Sequence, residues 1–388
     1  MTKVLFLAHT AAPSGAELAL ARMVGAMSTT DVSVAFTEDG PMVSMLREQN
    51  IDVLDMSGSF DSSKMTIRDS SVTGLLRGAA DLVRIGWRLG GIARNSSTDI
   101  IVAETTKALV MGAVASRRAR VPLIWHTHDR ISVEYFGRAL AVIIRTLGWI
   151  VSSAYIANSE LTRESLYKWR RPSLVAYPGV ELTANTGAGE RDSTPRQPED
   201  LTLCVVGRLT SWKGQDVFLR ALAESKVLPK QVLLVGGTFF GEESYQLELE
   251  NLARELELPV TFTGHVDNPQ DYMRRSDILV HCSVMAEPFG QVVVEGLHAG
   301  CAVIASTPGG TAEIVQDGIN GILVESGDQR QLTQAIEILM LDSDLRERFA
   351  IEGPKRAQNF DVVDSARAVE HFVADVAAVR EPQLSADG

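Results

Sequence analysis

The stretch Glu287-Pro-Phe-Gly-Gln-Val-Val-Val-Glu-Gly-Leu-His-Ala-Gly-Cys-Ala-Val-Ile-Ala-Ser306 guides our interpretation of the whole chain. Its proline and first glycine interrupt regular structure, so we expect Glu287 on a loop and a helix over 292–298. The apolar run 302–305 is typical of a buried strand. This pattern predicts that Glu287 follows a strand and that Glu295 lies about a turn and a half into the helix. Both carboxylates can then face one cleft.

The start of this predicted helix suits an anionic or strongly polar ligand. The backbone N–H groups of Phe289, Gly290 and Gln291 lie where the helix dipole is positive, which favours phosphate or sugar oxygens. Taken alone, the stretch fits an ordinary strand–helix unit with two solvated glutamates equally well. The preceding loops decide between the two interpretations.

Length and composition indicate a globular protein of two domains. The chain has 388 residues, of which 45% are hydrophobic and 22% charged. The net charge of −12 argues against a nucleic-acid partner, but the first 180 residues carry +4 and can meet an anionic surface or substrate. Three separated cysteines in apolar runs favour reduced thiols in a cytosolic protein: Cys204, Cys282 and Cys301.

Strand-like runs alternate with helical patterns in both halves, which predicts parallel sheets covered by helices. We therefore expect an α/β fold of two Rossmann-like, doubly wound domains facing a central cleft. The first domain covers 1–183, an aperiodic Gly- and Pro-rich linker covers 184–200, and the second domain covers 201–361. Helical patterns in the first half include Gly15–Met27, Met42–Gln49, Thr106–Arg118 and Glu160–Trp169.

The loop Gly207-Arg-Leu-Thr-Ser-Trp-Lys-Gly214 follows a strand-like run and precedes a helical pattern. Arg208 can bind two phosphate oxygens at once, and Lys213 acts as a point charge. Cations at a helix start are unfavourable beside the helix dipole unless an anion compensates them. The loop therefore predicts a diphosphate site, with a surface ion-pair loop as the alternative.

Two histidines two residues apart, His126 and His128, end another strand-like run and are followed by Asp129. They share one side of the strand, so metal binding has to be considered, although the sequence nearby offers no third ligand. Hydrogen bonding to a polar substrate is the favoured interpretation. In it, Asp129 or a backbone carbonyl fixes the tautomer of the ring.

The first strand-like run leads into His9-Thr-Ala-Ala-Pro-Ser-Gly-Ala-Glu17. Gly15 permits close approach of a substrate to the backbone, although a tight turn with a serine cap explains the loop equally well. The dinucleotide fingerprint Gly-x-Gly-x-x-Gly is absent here, which disfavours a dehydrogenase. Two further loops, 263–266 and 308–314, are weak binding signals on their own.

Together these segments resemble the GT-B glycosyltransferases, and in particular the large retaining family 4, glycosyl transferases group 1. The resemblance covers nearly the whole chain and is most specific over residues 205–325. It rests on Gly207-Arg208-Leu209 with Lys213-Gly214, on the Glu287–Glu295 pair with Pro-Phe-Gly between, and on Pro308-Gly-Gly-Thr-Ala-Glu313, in the family's order and spacing. Ser14 stands where relatives usually have glycine, and Pro178-Gly-Val-Glu181 replaces the family's Asn-Gly-Val-Asp.

The resemblance implies a role for each matching position. Catalytic roles fall to Arg208 and Lys213 on the donor's diphosphate and to His128 (with His126 as the competing histidine) and Glu287 on the transferred sugar. Donor binding falls to Gly15, Gly207, Val266, Phe289, Gly290, Gln291 and Glu295, with Glu295 on the ribose and the Val266 backbone on the base. The terminal helix over 362–380 would return to the first domain.

The resemblance further implies transfer with retention of configuration and no requirement for a metal or other cofactor. The donor would be a nucleotide-diphosphate sugar, with UDP or GDP expected, and the acceptor a saccharide, lipid-linked or small molecule. Such enzymes serve glycan, polysaccharide or glycolipid biosynthesis. A sugar-nucleotide 2-epimerase shares the two-domain plan but would lack the Gly-Arg…Lys and paired-Glu arrangement. A non-catalytic sugar-nucleotide-binding protein stays open as the other alternative.

Two basic, amphipathic segments with aromatic residues, Leu75–Arg94 and Val133–Ile150, suggest where a membrane could be met. The first carries Arg77, Arg84 and Arg88, and the alternative is that both helices simply pack on the first sheet. No run reaches the roughly 18 apolar residues of a membrane span, and the N-terminal run is short for a signal peptide. We therefore expect a cytoplasmic protein, with peripheral contact with the inner face of the cell membrane as an option.

Overall fold

A computed structural model of the protein describes residues 1–56, 72–182, 196–238 and 241–379, without the side chains of 55, 72–77 and 79. Contacts divide the chain into two compact units, Met1–Glu181 with Val362–Gly388, and Leu182–Asp361. Of the predicted linker 184–200, residues 184–195 lie outside the described residues, and Pro198–Asp200 form a 3-10 turn. Among the described residues, no helix has the length and apolar character that crossing a membrane requires.

The described part of the first unit is built on a seven-stranded parallel sheet in the order β3-β2-β1-β4-β5-β6-β7. Its strands read as continuous apolar runs because helices cover both faces. Strand order reverses between β1 and β4, which are hydrogen-bonded neighbours. The strands are β1 Thr2–Ala8, β2 Thr30–Phe36, β3 Asp52–Asp55, β4 Ile100–Ala103, β5 Leu123–Thr127, β6 Ala154–Ala157 and β7 Ser173–Val175.

The helices of the first unit pack one apolar stripe each on this sheet. In the helix over Val72–Asn95, for example, Leu82, Ile85 and Leu89 are buried against the sheet. The helices that precede the crossover to the second unit are α1 Gly15–Ala26, α2 Pro41–Glu48, α3 Val72–Asn95, α4 Thr106–Ala119, α5 Val133–Val151 and α6 Glu160–Glu164.

The described part of the second unit repeats the plan with six parallel strands in the order β10-β9-β8-β11-β12-β13, so order reverses between β8 and β11. Its core is a second apolar cluster, which includes Phe218 and Phe349. The strands are β8 Thr202–Val206, β9 Gln231–Val235, β10 Val260–Gly264, β11 Ile278–His281, β12 Ala302–Thr307 and β13 Gly321–Glu325. The helices are α7 Gln215–Ala223, α8 Glu243–Glu255, α9 Pro269–Arg275, α10 Gln291–His298, α11 Thr311–Ile314, α12 Gln329–Leu341 and α13 Ser343–Ala357.

The last helix, α14 (Val362–Ala378), belongs to the first unit. Ala366, Val369 and Val373 are buried in the same cluster as residues of α1 and β1. The carboxylate of Glu370 accepts backbone N–H bonds from Ser28 and Thr29, at 2.9 and 2.6 Å, at the start of β2. The C-terminal segment is therefore fixed to the first sheet by both apolar and polar contacts.

The predicted fold class, two Rossmann-like parallel-sheet domains, is confirmed. The predicted helix over Glu160–Trp169 is too long, because α6 ends at Glu164. There the hydroxyl of Ser165 donates to the carbonyl of Thr162 at 2.6 Å and accepts the N–H of Ile131 at 3.1 Å. These side-chain bonds compete with continuation of the helix.

Candidate functional site

Several of the predicted site residues follow the strands between which strand order reverses. Ligands of open parallel sheets bind at such points. In the second unit the loops that follow β8 and β11 carry Lys213 and Glu287. In the first unit the corresponding loops, after β1 and β4, carry Gly15 and Glu104. Each unit therefore contains one cluster of polar side chains.

The centre of the second-unit cluster is an ion pair between Lys213 and Glu287. The Lys213 Nζ donates to both carboxylate oxygens of Glu287, at 3.0 and 2.8 Å, although the residues are far apart in sequence. Both side chains are mostly buried. Burial by itself would raise the pKa of Glu287, but the charge of Lys213 and the hydrogen bond from His281 hold that pKa far below its usual range. Glu287 is therefore ionised at neutral pH.

Two further side chains hold the same carboxylate oxygen. Glu287 Oε2 lies 3.0 Å from the donating Ser283 hydroxyl and 3.3 Å from Nε2 of His281. The His281 ring is buried, and its Nδ1 lies 3.0 Å from the Ser306 hydroxyl. Glu287 Oε1 has Lys213 as its hydrogen-bond donor, so among the described contacts it keeps acceptor capacity for a ligand. Sequence reasoning missed His281, and its polarity at the end of an apolar strand was the available signal.

The basic loop is shaped by close backbone contacts. Gly207 has φ +143°, and its N–H donates to Val235 O at 2.9 Å. A Cβ on Gly236 would lie 2.1 Å from the carbonyl oxygen of Gly207, so only glycine fits there. Gly214, with φ +70°, would bring a Cβ to 2.2 Å from the carbonyl oxygen of Cys282. These contacts fix the loop of Lys213 against the loop that follows β11.

Arg208, the other predicted phosphate-binding cation, lies in the same loop and pairs with a different carboxylate. Its Nε is 3.5 Å from Oε2 of Glu242, and both side chains are partly exposed. Its carbonyl oxygen accepts a hydrogen bond from Gln215 at 2.9 Å. The sequence analysis did not identify Glu242, since a lone glutamate before a helix carries no specific signal.

The helix of the opening stretch begins as predicted. Gly290 has φ +105° and precedes α10, and Phe289 is buried against Phe360 at 5.8 Å between ring centroids. Gly310 donates its N–H to Glu287 O at 2.8 Å, which ties the glycine-rich turn after β12 to this loop. Glu295 lies in the second turn of α10 and is partly exposed. The partly exposed Val266 lies beyond the end of β10.

The first-unit cluster joins both histidines to a buried carboxylate. Glu104 Oε2 lies 2.8 Å from Nε2 of His128 and 3.1 Å from Nδ1 of His126, whose distance to Oε1 is 3.2 Å. The expectation that Asp129 or a carbonyl orients the ring is wrong, because Glu104 does so. The statement that no third ligand is near is also wrong in space: the ligand atoms of the three residues lie within 4.8 Å of one another. This group is the one among the described residues that could hold a metal ion.

The charges in this cluster follow from burial and from the shared carboxylate. Burial would raise the pKa of Glu104, but the two histidines lower it to about 2. Burial lowers the pKa of His126, whereas for His128 the Glu104 hydrogen bond outweighs burial and the pKa is raised. His126 is thus neutral at pH 7. Its Nδ1 carries the proton, because an ionised carboxylate only accepts.

The first loop of the chain borders α1. Ser14 and Glu17 are hydrogen-bonded, and burial raises the pKa of the Glu17 carboxyl. Gly15 opens α1, and a Cβ built on it would meet no described atom within 4 Å. Packing within the chain therefore does not demand glycine there. His9, whose pKa burial lowers to about 4, lies 3.1 Å from the Thr105 hydroxyl.

Comparison with known proteins places this architecture in a class. The fold is similar to that of Anabaena HepE, which was solved in complex with UDP and glucose, at TM-score 0.79 and 28% sequence identity. The match covers 97% of this chain and 100% of the HepE chain. The fold is thus the GT-B glycosyltransferase fold. The model of the family glycosyl transferases group 1 matches residues 189–356, within the second unit.

Curated relatives of known name match over part of their length. A Campylobacter jejuni enzyme named N-acetylgalactosamine-N,N'-diacetylbacillosaminyl-diphospho-undecaprenol 4-alpha-N-acetylgalactosaminyltransferase is 32% identical over 172 residues, 44% of this chain and 45% of the relative. D-inositol 3-phosphate glycosyltransferase of Rhodococcus erythropolis is 33% identical over 198 residues, 48% of this chain and 44% of the relative. The chain thus spans about half the length of these curated relatives.

Proposed function

We propose that the protein is a retaining glycosyltransferase that transfers a sugar from a nucleotide-diphosphate sugar to a saccharide, lipid-linked or small-molecule acceptor. The observation that carries this proposal is the buried Lys213–Glu287 pair, fixed beside the start of α10 at the strand reversal of the second sheet. In this pair a cation lies beside an ionised carboxylate. The cation suits the diphosphate of a nucleotide sugar, and the carboxylate can accept hydrogen bonds from the sugar hydroxyl groups. The match of residues 189–356 to the glycosyl transferases group 1 model and the likeness to HepE support it.

In the proposed reaction Arg208 and Lys213 bind the diphosphate and stabilise the charge that develops on it as the sugar leaves. Such pre-oriented electrostatic stabilisation is commonly a large contribution to catalysis. These two cations take the role that a divalent metal has in other transferases, so we propose a metal-independent enzyme. The leaving phosphate would take the acceptor's proton while the configuration at the anomeric carbon is kept.

The remaining predicted residues hold the donor. Glu287 accepts hydrogen bonds from hydroxyl groups of the transferred sugar through Oε1. The backbone N–H groups of residues 289–291 donate hydrogen bonds to oxygens of the nucleotide sugar. We assign Glu295 to the ribose, the Val266 backbone to the base, and Gly15 and His128 to donor contacts from the first unit. Gly207 lets the loop of Arg208 approach the diphosphate. UDP is the nucleotide expected first, because HepE was solved with UDP and with UDP-glucose.

We further propose peripheral contact with an anionic membrane through α5, in a cytoplasmic protein. Tyr135, Val142, Ile143 and Ile150 are at least half exposed on this helix, and exposed Arg138 lies among them. The lipid-linked substrate named for the Campylobacter relative is consistent with such contact. Arg145 of the same segment donates to Ile131 O at 3.1 Å and so serves the protein itself. The side chain of Arg77 lies outside the described residues.

The test of the activity is a panel of UDP- and GDP-linked hexoses without acceptor. A transferase slowly releases free sugar and nucleoside diphosphate, whereas an epimerase forms an isomeric nucleotide sugar. Binding without turnover, or isomer formation, would overturn the proposal.

The test of the site is Lys213→Ala and Glu287→Ala, which we expect to lower turnover by at least about 100-fold, the loss typical when one stabilising group is removed. Lys226→Ala, which removes an exposed lysine of the same unit, is the matched control and should keep its activity. Thermal melting of all three variants checks that the fold survives. Turnover near that of the control in either site variant would contradict the assignment.

A further inference from the structure

Glu104 is placed for function by the topology of the first sheet. It directly follows β4 at the point of strand reversal, and its backbone N–H donates to Leu7 O, in β1, at 2.9 Å. Thr105, the next residue, caps α4 by accepting the N–H of Ala108 at 3.1 Å. The Glu104 side chain is 3% exposed. A carboxylate so buried needs donors, and the two histidines supply them.

The hydrogen-bond pattern fixes which nitrogen of each ring faces the carboxylate. His126 uses Nδ1 and His128 uses Nε2. Because both bonds end on the ionised Glu104, both of those nitrogens carry a proton. The described residues supply no hydrogen-bond partner for Nδ1 of His128. The His128 backbone is also held, since its carbonyl accepts from Asn158 Nδ2 at 2.8 Å.

Resting on the proposed function, we propose that Glu104 is a positioning residue for the donor. By binding Nε2 of His128, while Nδ1 of His126 holds the same carboxylate, it orients the His128 ring so that Nδ1 can donate to the transferred sugar. The His128 side chain is 10% exposed, against 4% for His126, so His128 is the more accessible of the two rings. This geometry favours His128 over His126 as the histidine that contacts the donor. The more deeply buried His126 then holds the Glu104 carboxylate in place through its Nδ1–H.

The distances favour hydrogen bonds over a metal centre in this group. Two ligands at 2.0–2.1 Å from a tetrahedral zinc ion are about 3.3 Å apart. Glu104 Oε2 lies 2.8 Å from Nε2 of His128 and 3.1 Å from Nδ1 of His126, both shorter than that separation. A proton shared between nitrogen and oxygen accounts for both distances. Bound metal is therefore the alternative that the experiment has to separate.

The charge around His128 supports the same arrangement. Burial lowers the pKa of His128, but the carboxylates of Glu104, Glu17 and Asp129 raise it, so that the pKa lies above its usual value. A ring with protons on both nitrogens can bind Glu104 and still donate from Nδ1 to a sugar oxygen.

The first experiment separates the two nitrogens by substitution. Asparagine places its amide near the position of Nδ1 and glutamine near that of Nε2. We expect His128→Asn to keep about ten times more kcat/KM than His128→Gln, and Glu104→Gln to lose about ten- to a hundredfold, as when an orienting partner of a functional histidine is removed. In the His128→Asn background, Glu104→Gln should cost little more, because the ring it orients is gone.

The second experiment does not depend on activity. Long-range ¹H–¹⁵N spectra of the full chain, assigned with the His126 and His128 variants, should show His126 protonated on Nδ1. They should show Nε2 of His128 changing its shift in Glu104→Gln. Glu160→Gln, which removes an exposed carboxylate of the same unit, is the control that leaves both rings unchanged.

Each outcome has a defined meaning. Unchanged imidazole spectra in Glu104→Gln, or glutamine outperforming asparagine at 128, would overturn the proposal. So would one equivalent of zinc in elemental analysis of the purified chain. If the wild-type chain turns over no donor, the proposed activity fails, but the spectra still report whether Glu104 orients the two rings.

Discussion

Glu287 illustrates how single residues share one task in this protein. Its Oε2 receives bonds from Lys213, Ser283 and His281, while Oε1 keeps room for a ligand. His281 can donate from Nε2 because its Nδ1 meets the Ser306 hydroxyl at 3.0 Å. The buried His281 therefore links Ser306 of β12 to the carboxylate of Glu287 by hydrogen bonds. His281 therefore orients the Glu287 carboxylate and stabilises its charge.

We predict that His281→Leu shifts the acid limb of the kcat/KM profile to higher pH. The sign follows from the lowered pKa of Glu287, which must be ionised to act. Losing a donor to the ionised form raises that pKa, so activity is lost at a higher pH on acidification. The measurement is a pH profile of donor hydrolysis.

His281→Gln is the matched control for this prediction, because its amide lies near the position of Nε2 and can still donate to Glu287. It should keep the acid limb close to that of the wild type. Equal shifts in the leucine and glutamine variants would show that His281 acts through packing alone.

At the scale of elements, the loop before α8 competes with the ligand that the basic loop is proposed to bind. Glu242 caps α8 and pairs with Arg208 at 3.5 Å. A diphosphate on Arg208 would have to displace this carboxylate or accept its repulsion. If Arg208 binds the diphosphate as proposed, Glu242 would neutralise this cation in the absence of donor and would weaken donor binding.

We predict that Glu242→Gln tightens the binding of UDP about two- to fivefold, the range expected for a partly exposed ion pair worth up to ~1 kcal/mol. Calorimetric titration of the full chain with UDP measures this. Glu243→Gln removes the same charge from an exposed neighbour and should change the affinity less. Weaker binding in Glu242→Gln than in Glu243→Gln would show that Glu242 assists the donor instead.

For the whole molecule, the uneven charge and the exposed apolar side of α5 predict reversible membrane binding. We expect the protein to sediment with anionic vesicles at low salt and less so at about 0.5 M salt, where charges are strongly screened. Replacing both Val142 and Ile143 with serine should weaken binding about tenfold or more, since each buried apolar side chain contributes on the order of 1.5 kcal/mol.

Ile338 and Ile351, exposed on the second unit, provide the matched control. Serine at both of these positions removes similar apolar area and should leave vesicle binding unchanged. Absence of sedimentation at low salt, or equal losses in the two double variants, would remove α5 as the membrane contact.

Local sequence patterns predicted the strands and the loops that carry the candidate site residues. Apolar runs with flanking glycine and proline marked the strands, and the residues expected to act do follow strands. The spacing from Glu287 to Glu295 fixed their relation, because eight residues across one turn and one helix leave little freedom. The same local patterns overestimated α6, where a serine side chain ended the helix.

Tertiary structure alone decided which of these loops meet. Lys213 and Glu287 lie 74 residues apart, and Glu104 lies 22 and 24 residues from its two histidines. Strand order in a parallel sheet brings such residues together, and no local period encodes that order. The Arg208–Glu242 and His281–Glu287 contacts likewise depend on the packing of neighbouring loops. The stretch from Glu287 to Ser306 thus identifies the two glutamates as candidate site residues. Which side chains bind Glu287 depends on the order of the strands in the sheet.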